Sequence, residues 1–206
     1  MVITITRQYG AGGSEVARLV AERLGWQLID NEFVDQVAQR SGIEPGEVAA
    51  REERAPSLIE RLVRALATAS PEVFVPGATP ASEEQEDELV TTTEHVIAEA
   101  GMVGNVVLVG RGAQAYLARS HANALHVFIV APLENRLEAL ATRLGMSQDE
   151  AKQQEEKMEA DRDRYVQRFY KRSRRDPANY HLIVNTGLLG YSLAADVIVG
   201  LANTRS

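Results

Sequence analysis

Residues 1 to 15, MVITITRQYGAGGSE, decide the fold. Residues 2 to 6 are all β-branched, which is typical of a buried strand. The glycines among residues 10 to 13 allow a tight turn, and apolar residues from 16 to 24 then recur at helical spacing. A strand, a glycine loop and a helix start present backbone amides and the positive helix end to an anion. The stretch therefore predicts a phosphate site.

The segment from residue 7 to residue 14 matches the phosphate-loop pattern G-x-x-x-x-G-K-[ST] only in part. Gly12 and Ser14 fit, whereas Arg7 stands at the first glycine and Gly13 stands at the lysine. The segment is either a phosphate loop or an ordinary tight turn between a strand and a helix. Ser14 is likewise either a phosphate or metal contact or a plain helix N-cap.

The composition is that of one globular domain. The chain has 206 residues, 45% of them hydrophobic and 25% charged, a net charge of −7 and no cysteine. The acidic balance disfavours general nucleic-acid binding, and the lack of cysteine excludes disulfides and thiolate metal sites. The sequence has neither 18 uninterrupted apolar residues nor a signal-peptide pattern, so we expect a cytoplasmic protein without a membrane span.

Further apolar runs predict four more short strands. They lie at residues 26 to 30, 105 to 109, 125 to 130 and 181 to 185. Strands that alternate with helices predict an α/β fold with a five-stranded parallel sheet. Asp30 ends the second strand, where such sheets place ligand groups, although it also suits the N-cap of a following helix.

Arg111 stands between two glycines directly after the third predicted strand. Its planar guanidinium suits an oxyanion, particularly phosphate, and the alternative is a structural ion pair. Prolines and acidic residues between 71 and 88 favour a surface loop or flap.

A long polar helix is predicted over residues 147 to 172, beginning with a capping box at residues 147 to 150. Because it has few apolar residues, we expect it to project from the body. Residues 161 to 176 hold seven basic residues against three acidic ones. That contrast indicates an anionic partner, although ion pairs within the helix, such as Asp161 with Arg164, explain part of it.

Four segments together resemble the cytidylate kinase-like family, which is similar to bacterial cytidylate kinases and other nucleoside monophosphate kinases. They are ITRQYGAGGS at residues 5 to 14, VGRGA at 109 to 113, DRDR at 161 to 164 and YHLIVNT at 180 to 186. The resemblance covers nearly the whole chain. It implies a single three-layer P-loop kinase-like domain over residues 1 to 206. An acceptor-binding flap would span residues 31 to 100, and an arginine-rich helical lid would span residues 147 to 178.

The resemblance also implies an activity and a set of site residues. The activity is transfer of the γ-phosphate of ATP, with Mg²⁺, to a nucleoside monophosphate such as CMP or to a similar small phosphorylated acceptor. Small nucleotides would be the partners, without membrane or nucleic acid, and a homodimer is compatible with the sequence. The implied nucleotide-binding residues are Arg7, Gly10, Ala11, Gly12, Gly13, Ser14 and Asp30, with Ser14 also at the metal. The implied catalytic residues are Arg111, which grips the acceptor, and the lid arginines Arg162 and Arg164.

The sequence departs from cytidylate kinases at three positions. Gly13 replaces the loop lysine, and Val109 and Gly112 replace two aspartates that flank the Gly-Arg pair. The charge of the lysine must then come from a lid or loop arginine, such as Arg7. Two other functions stay open: a non-catalytic nucleotide sensor on the same fold, and a kinase of another small molecule such as a sugar or cofactor precursor.

Overall fold

The computed structural model describes residues 1–30, 83–120 and 123–205. Five parallel strands form one sheet in the order β2-β3-β1-β4-β5. The strands are β1 (Val2–Arg7), β2 (Gln27–Asp30), β3 (Val106–Val109), β4 (Ala124–Val130) and β5 (Leu182–Asn185). Each lies where the sequence predicts one, within a residue or two, because buried parallel strands are continuous apolar runs.

Helices connect the strands. In chain order the described helices are α1 (Gly13–Leu24), α2 (Glu83–Val103), α3 (Ala113–Ser120), α4 (Leu133–Leu144), α5 (Gln148–Tyr170) and α6 (Thr186–Arg205). A short 3-10 turn, Pro177–Asn179, precedes β5. The sequence did not predict α3, which is only eight residues long.

The sheet is covered on both faces, as the three-layer prediction requires. Ile3 and Ile5 of β1 belong to one apolar cluster, which also contains buried residues of α1 and α6. Val106 and Leu108 of β3 belong to a second cluster with residues of α2 and α3. Side chains alternate between the two faces along a strand, so one short strand supplies both clusters.

The parallel register brings the carboxyl ends of the strands together at one edge of the sheet. Val109, the last residue of β3, pairs with Ile5 on one side and with Asp30 on the other. Arg7 ends β1 opposite Ile129 of β4. The loops after β1 and β3 therefore begin side by side, which is where open α/β sheets bind ligands.

Two sequence-based interpretations of where helices begin are wrong. Helix α2 begins at Glu83, inside the acidic stretch that we assigned to a loop ending at residue 88. Glutamate is a good helix former, and negative charge stabilises the first turn of a helix. Helix α1 has Gly12, not Ser14, as its N-cap. Residues 31 to 82, most of the predicted flap, lie outside the described residues.

Helix α5 does not project from the body. One face of it is buried, and that face repeats every three or four residues. The buried residues are Ala151, Glu155, Glu159, Arg162, Val166 and Tyr170. Half of them are charged, so a search for apolar periodicity misses the stripe.

Helix α6 is the one described helix that is long and apolar enough to cross a membrane, by length and composition. Core helices pass the same test, and α6 contributes Ala194, Ala195, Ile198 and Ala202 to the apolar cluster on α1. Its backbone is not helical at Gly190, where φ is 71° and ψ is 170°.

Candidate functional site

The loop between β1 and α1 is held in a tight path by its glycines. Gly10 and Gly12 have φ angles of 83° and 74°, in the left-handed region that favours glycine. A Cβ at Gly10 would lie 2.7 Å from the backbone oxygen of Arg136, and one at Gly12 would overlap the Tyr191 ring. No side chain caps α1 at Gly12, so the first amides of this helix suit an external acceptor such as phosphate.

Arg7 crosses from the end of β1 towards the end of β3. It is buried, with 9% of its surface exposed. A Cβ at Gly13 would lie 2.5 Å from the Cβ of Arg7, and a Cβ at Gly110 would overlap its guanidinium. The arginine side chain thus fills the space above both glycines.

The turn after β3 has three successive residues with positive φ. The angles are 75° at Gly110, 50° at Arg111 and 69° at Gly112. The ring of Tyr170 lies where a Cβ of Gly112 would stand. A left-handed conformation is uncommon for arginine and costs energy, which is typical of residues held for function.

A cleft of about 480 Å³, a volume that includes the solvent at its mouth, lies between the end of β1, the turn after β3, α5 and the segment after α5. Four arginines line it: Arg7, Arg111, Arg162 and Arg174. Gln114, Tyr165 and Tyr180 are among the other lining residues, and no acidic side chain is among those described. Four guanidinium groups around one cleft, without a carboxylate in its wall, favour a ligand with several negative charges.

Arg162 of α5 and Arg174, four residues beyond its end, both donate to the backbone oxygen of Arg7. The distances are 3.3 Å from Arg162 and 2.9 Å from Arg174. Buried Glu159 joins the same network, since it accepts from the Tyr9 backbone amide at 2.9 Å and from Arg174 at 2.8 Å. These bonds fasten α5 and the segment after it onto the end of β1.

Carboxylates behind the wall of the cleft hold Arg174 in place. Asp163 accepts from its Nε at 2.9 Å, and Glu159 accepts from its Nη2. Burial acts to lower the pKa of Arg174, but the bonds and charges of Glu159 and Asp163 outweigh it and raise that pKa above its usual value. Arg174 therefore stays charged at any physiological pH.

The structure brings some of the predicted site residues together at the cleft and leaves others outside its lining. Arg7, Arg111 and Arg162 line the cleft, and Gly13 contacts Arg7. The other nucleotide-binding candidates lie in the loop, in the first turn of α1 or at the end of β2; they are Gly10, Ala11, Gly12, Ser14 and Asp30. Asp30 is buried. Arg164 lies on the exposed side of α5 and pairs with Asp161 at 2.8 Å.

Arg174, Gln114 and Tyr180 are among the residues of the cleft that sequence reasoning missed. Arg174 belongs to the basic stretch that we singled out, but the sequence carried no sign that it, rather than Arg164, reaches the cleft. Gln114 is buried and donates to the backbone oxygen of Asn179 at 2.9 Å. The Tyr180 hydroxyl donates to the backbone oxygen of Arg174 at 2.6 Å.

No group of three His, Asp or Glu side chains that could hold a metal is found in residues 1–30, 83–120 and 123–205. A magnesium ion that travels with a nucleotide needs only one or two protein ligands, because phosphate oxygens and water supply the rest. Ser14, in the first turn of α1, stays the predicted metal contact.

Comparisons with known proteins agree with the fold described above. The fold matches a crystal structure of an uncharacterized protein from Eubacterium ventriosum ATCC 27560, with a TM-score of 0.69, 18% identity and 99% of each chain covered. It also matches shikimate kinase from Bacteroides thetaiotaomicron, with a TM-score of 0.50, 15% identity and 98% of each chain covered. A search of curated proteins gave no match. The predicted three-layer, P-loop kinase-like fold is confirmed.

The sequence itself decides the family. Residues 2–188 match the model of the cytidylate kinase-like family. The match covers both glycine-containing turns, the described part of the cleft and all five strands of the sheet. The chain belongs to the cytidylate kinase-like family.

Proposed function

We propose that this protein transfers the terminal phosphoryl group of ATP to a nucleoside monophosphate, of which CMP is the first candidate, or to a similar small phosphorylated acceptor. The family and the fold support a nucleotide or small-molecule kinase. The observation that carries the finer proposal is the cleft lined by four arginines and no described acidic side chain. Two phosphorylated substrates that meet end to end would bring the negative charge that this cleft suits.

The donor phosphates would lie on the loop between β1 and α1. Gly10 and Gly12 give that loop its tight path, and the first turn of α1 supplies backbone amides and the positive helix end. Ser14 would hold Mg²⁺, which would supply further positive charge to the phosphates there. Asp30, at the end of β2, remains a predicted nucleotide contact.

The acceptor phosphate would bind Arg111. This residue leaves the sheet at the end of β3, and its left-handed backbone is fixed between two glycines. Arg162 and Arg174 line the same cleft, where they would stabilise the group in transfer. Arg164 points away into its pair with Asp161 in this structure, so its predicted catalytic role requires that pair to open.

Phosphoryl transfer suits such a site because it needs positioning and charge neutralisation more than a strong base. Guanidinium groups supply both, since they hold phosphate oxygens with two parallel hydrogen bonds. Exclusion of water by α5 would keep the phosphoryl group from hydrolysis.

The first prediction concerns Arg111→Ala. Purified protein with ATP, Mg²⁺ and a panel of monophosphates should form ADP in an acceptor-dependent way, most readily with CMP or a related pyrimidine. We expect Arg111→Ala to lower kcat/KM for the acceptor about 100-fold, because it removes a charged hydrogen-bond pair from the acceptor phosphate. The affinity for ATP alone should change less than about twofold. Initial rates and calorimetric titrations measure the two effects.

Arg18→Ala is the matched control, because Arg18 lies on the surface of α1 and pairs with Glu15 and Glu22. It should leave both quantities unchanged. Nucleotide binding without turnover on any acceptor would contradict the kinase proposal and favour the nucleotide sensor. Turnover with an unphosphorylated sugar or cofactor precursor, but with no monophosphate, would assign the third function instead.

The cytoplasmic location expected from the sequence stays a prediction, and the homodimer with which the sequence is compatible is untested. Gel filtration with light scattering measures the second of these directly.

A further inference from the structure

The side chain of Arg7 occupies the space that a side chain at residue 13 would need. Ile3, Ile5 and Arg7 alternate along β1, so Arg7 lies on the face of the sheet that α1 covers. A Cβ at Gly13 would lie 2.5 Å from the Arg7 Cβ and 2.7 Å from its Cγ. Real Cβ atoms do not approach that closely, so a lysine at residue 13 and the observed Arg7 exclude each other.

The head of the same side chain lies over the turn after β3. A Cβ at Gly110 would overlap the Arg7 guanidinium. Both ends of the Arg7 side chain therefore rest on glycines, one at the start of α1 and one at the end of β3. The guanidinium lines the cleft together with Arg111, Arg162 and Arg174.

We propose that Arg7 supplies to the donor phosphates the positive charge that a lysine supplies in the phosphate-loop pattern, and that residue 13 is a glycine to make room for it. The inference rests on one part of the proposed function, the binding of a nucleoside triphosphate to the loop between β1 and α1. Arginine suits this position because it is always charged and its fork can hold two phosphate oxygens at once. In this proposal the loop lysine is replaced by glycine at residue 13, and its positive charge comes from Arg7 instead.

The second prediction is a test by exchange. Arg7→Met keeps the carbon chain that packs on Gly13 and removes the guanidinium. We expect it to weaken ATP binding at least tenfold, with progressively smaller losses for ADP and AMP and none for adenosine. A merely structural role for Arg7 would weaken all four alike. Calorimetric titration with each nucleoside and nucleotide measures the series, and the melting temperature without ligand shows that the variant is folded.

The reciprocal variants complete the exchange. Gly13→Lys alone should lose ATP binding, since the new side chain collides with Arg7. The double variant Arg7→Ala with Gly13→Lys restores the loop lysine and removes the obstacle, and we expect it to bind ATP at least tenfold more tightly than Gly13→Lys. Should Gly13→Lys fail to fold, Arg7→Met and the double variant are compared with the wild type instead.

Two outcomes would overturn the inference. One is an unchanged ATP affinity in Arg7→Met, and the other is a folded double variant that binds ATP no better than Arg7→Met. Neither outcome depends on the acceptor. A wild type that binds ATP but phosphorylates nothing would contradict the proposed transfer, and the Arg7 test would still be valid. Conversely, if Arg7→Met keeps acceptor-dependent turnover and a normal ATP affinity, the kinase proposal is supported and the role proposed for Arg7 is wrong.

Discussion

His126, in the centre of β4, shows how one buried side chain makes the stability of the protein depend on pH. Its ring Nδ1 lies 2.8 Å from the Thr4 hydroxyl, and its backbone amide donates to the ring of His181 at 2.9 Å. Burial, and then the positive charges of His181, Arg205 and Arg172, lower the pKa of His126 from 6.5 to about 4. The folded protein therefore keeps this ring neutral.

The third prediction follows from that difference in pKa. Below pH 6.5 His126 is protonated in the unfolded chain, whereas in the folded chain it stays neutral until about pH 4. The stabilisation is complete above pH 6.5, and about 3 kcal/mol of it is lost between those two values. Urea unfolding at pH 7.5 and pH 5.0 should show a smaller loss in His126→Gln than in the wild type. The exposed His95→Gln is the control, and equal losses in all three proteins would refute the prediction.

Gly12 is under two constraints, whereas Gly25 is under only one of them. Its φ is 74°, and a Cβ would also overlap the Tyr191 ring. Gly25, at the end of α1, has a φ of 65° but nothing within 4 Å of an added Cβ. The fourth prediction is that Gly25→Ala costs about 1 kcal/mol of unfolding free energy, from backbone strain alone, and Gly12→Ala costs about 3 kcal/mol. Urea titrations measure both, and Tyr191→Ala combined with Gly12→Ala should recover the excess. Equal costs at the two glycines would contradict the collision.

The basic stretch, residues 161 to 176, shows which contacts of single residues can be predicted from the sequence. The pair of Asp161 with Arg164 is confirmed at 2.8 Å, because residues three apart on a helix are neighbours. That rule says nothing about Arg174, which lies beyond the end of α5 and meets the backbone of Arg7. Contact across 167 residues depends on the folded path of the chain.

At the scale of elements, α5 is an example of a buried face that hydropathy does not reveal. Its capping box at Ser147 and Glu150 is confirmed, and it was visible in the sequence because it is local. Its buried face includes Glu155 and Glu159, whose charges are paired: Glu155 with Arg136 of α4, and Glu159 with Arg174. Buried carboxylates need such partners, which no pattern within the helix names.

The fifth prediction tests how far Glu159 secures α5 to the loop. Glu159→Gln keeps the shape and an acceptor oxygen but removes the charge beside Arg162 and Arg174. We expect it to lower the unfolding free energy by about 2 to 3 kcal/mol, because it leaves buried guanidinium charge less compensated. Asp161→Asn breaks an exposed pair on the same helix and should cost under about 1 kcal/mol. Chemical denaturation measures the unfolding free energy of both variants. Similar losses in the two would show that burial of the Glu159 network adds nothing to stability.

For the whole molecule, the sequence predicts the members of the sheet better than their arrangement. Val106–Val109 is entirely buried and reads as an apolar run, so its place as a strand is evident. The order β2-β3-β1-β4-β5 follows from where each connecting helix crosses the sheet, which periodicity does not record. Arg7 and Arg111 could be predicted as site residues because each follows or ends a strand. Ligands bind at the carboxyl ends of parallel strands, whatever the order of those strands in the sheet.

The backbone oxygen of Arg7 has a consequence for how this site can change. It accepts from Arg162 and Arg174, whereas the side chain of the same residue reaches towards Gly110. Every residue type brings that oxygen, so the attachment of α5 to the sheet does not depend on which side chain stands at position 7. A library randomised at this codon, proline excepted, therefore varies the chemistry offered to a ligand while the architecture around it stays constant.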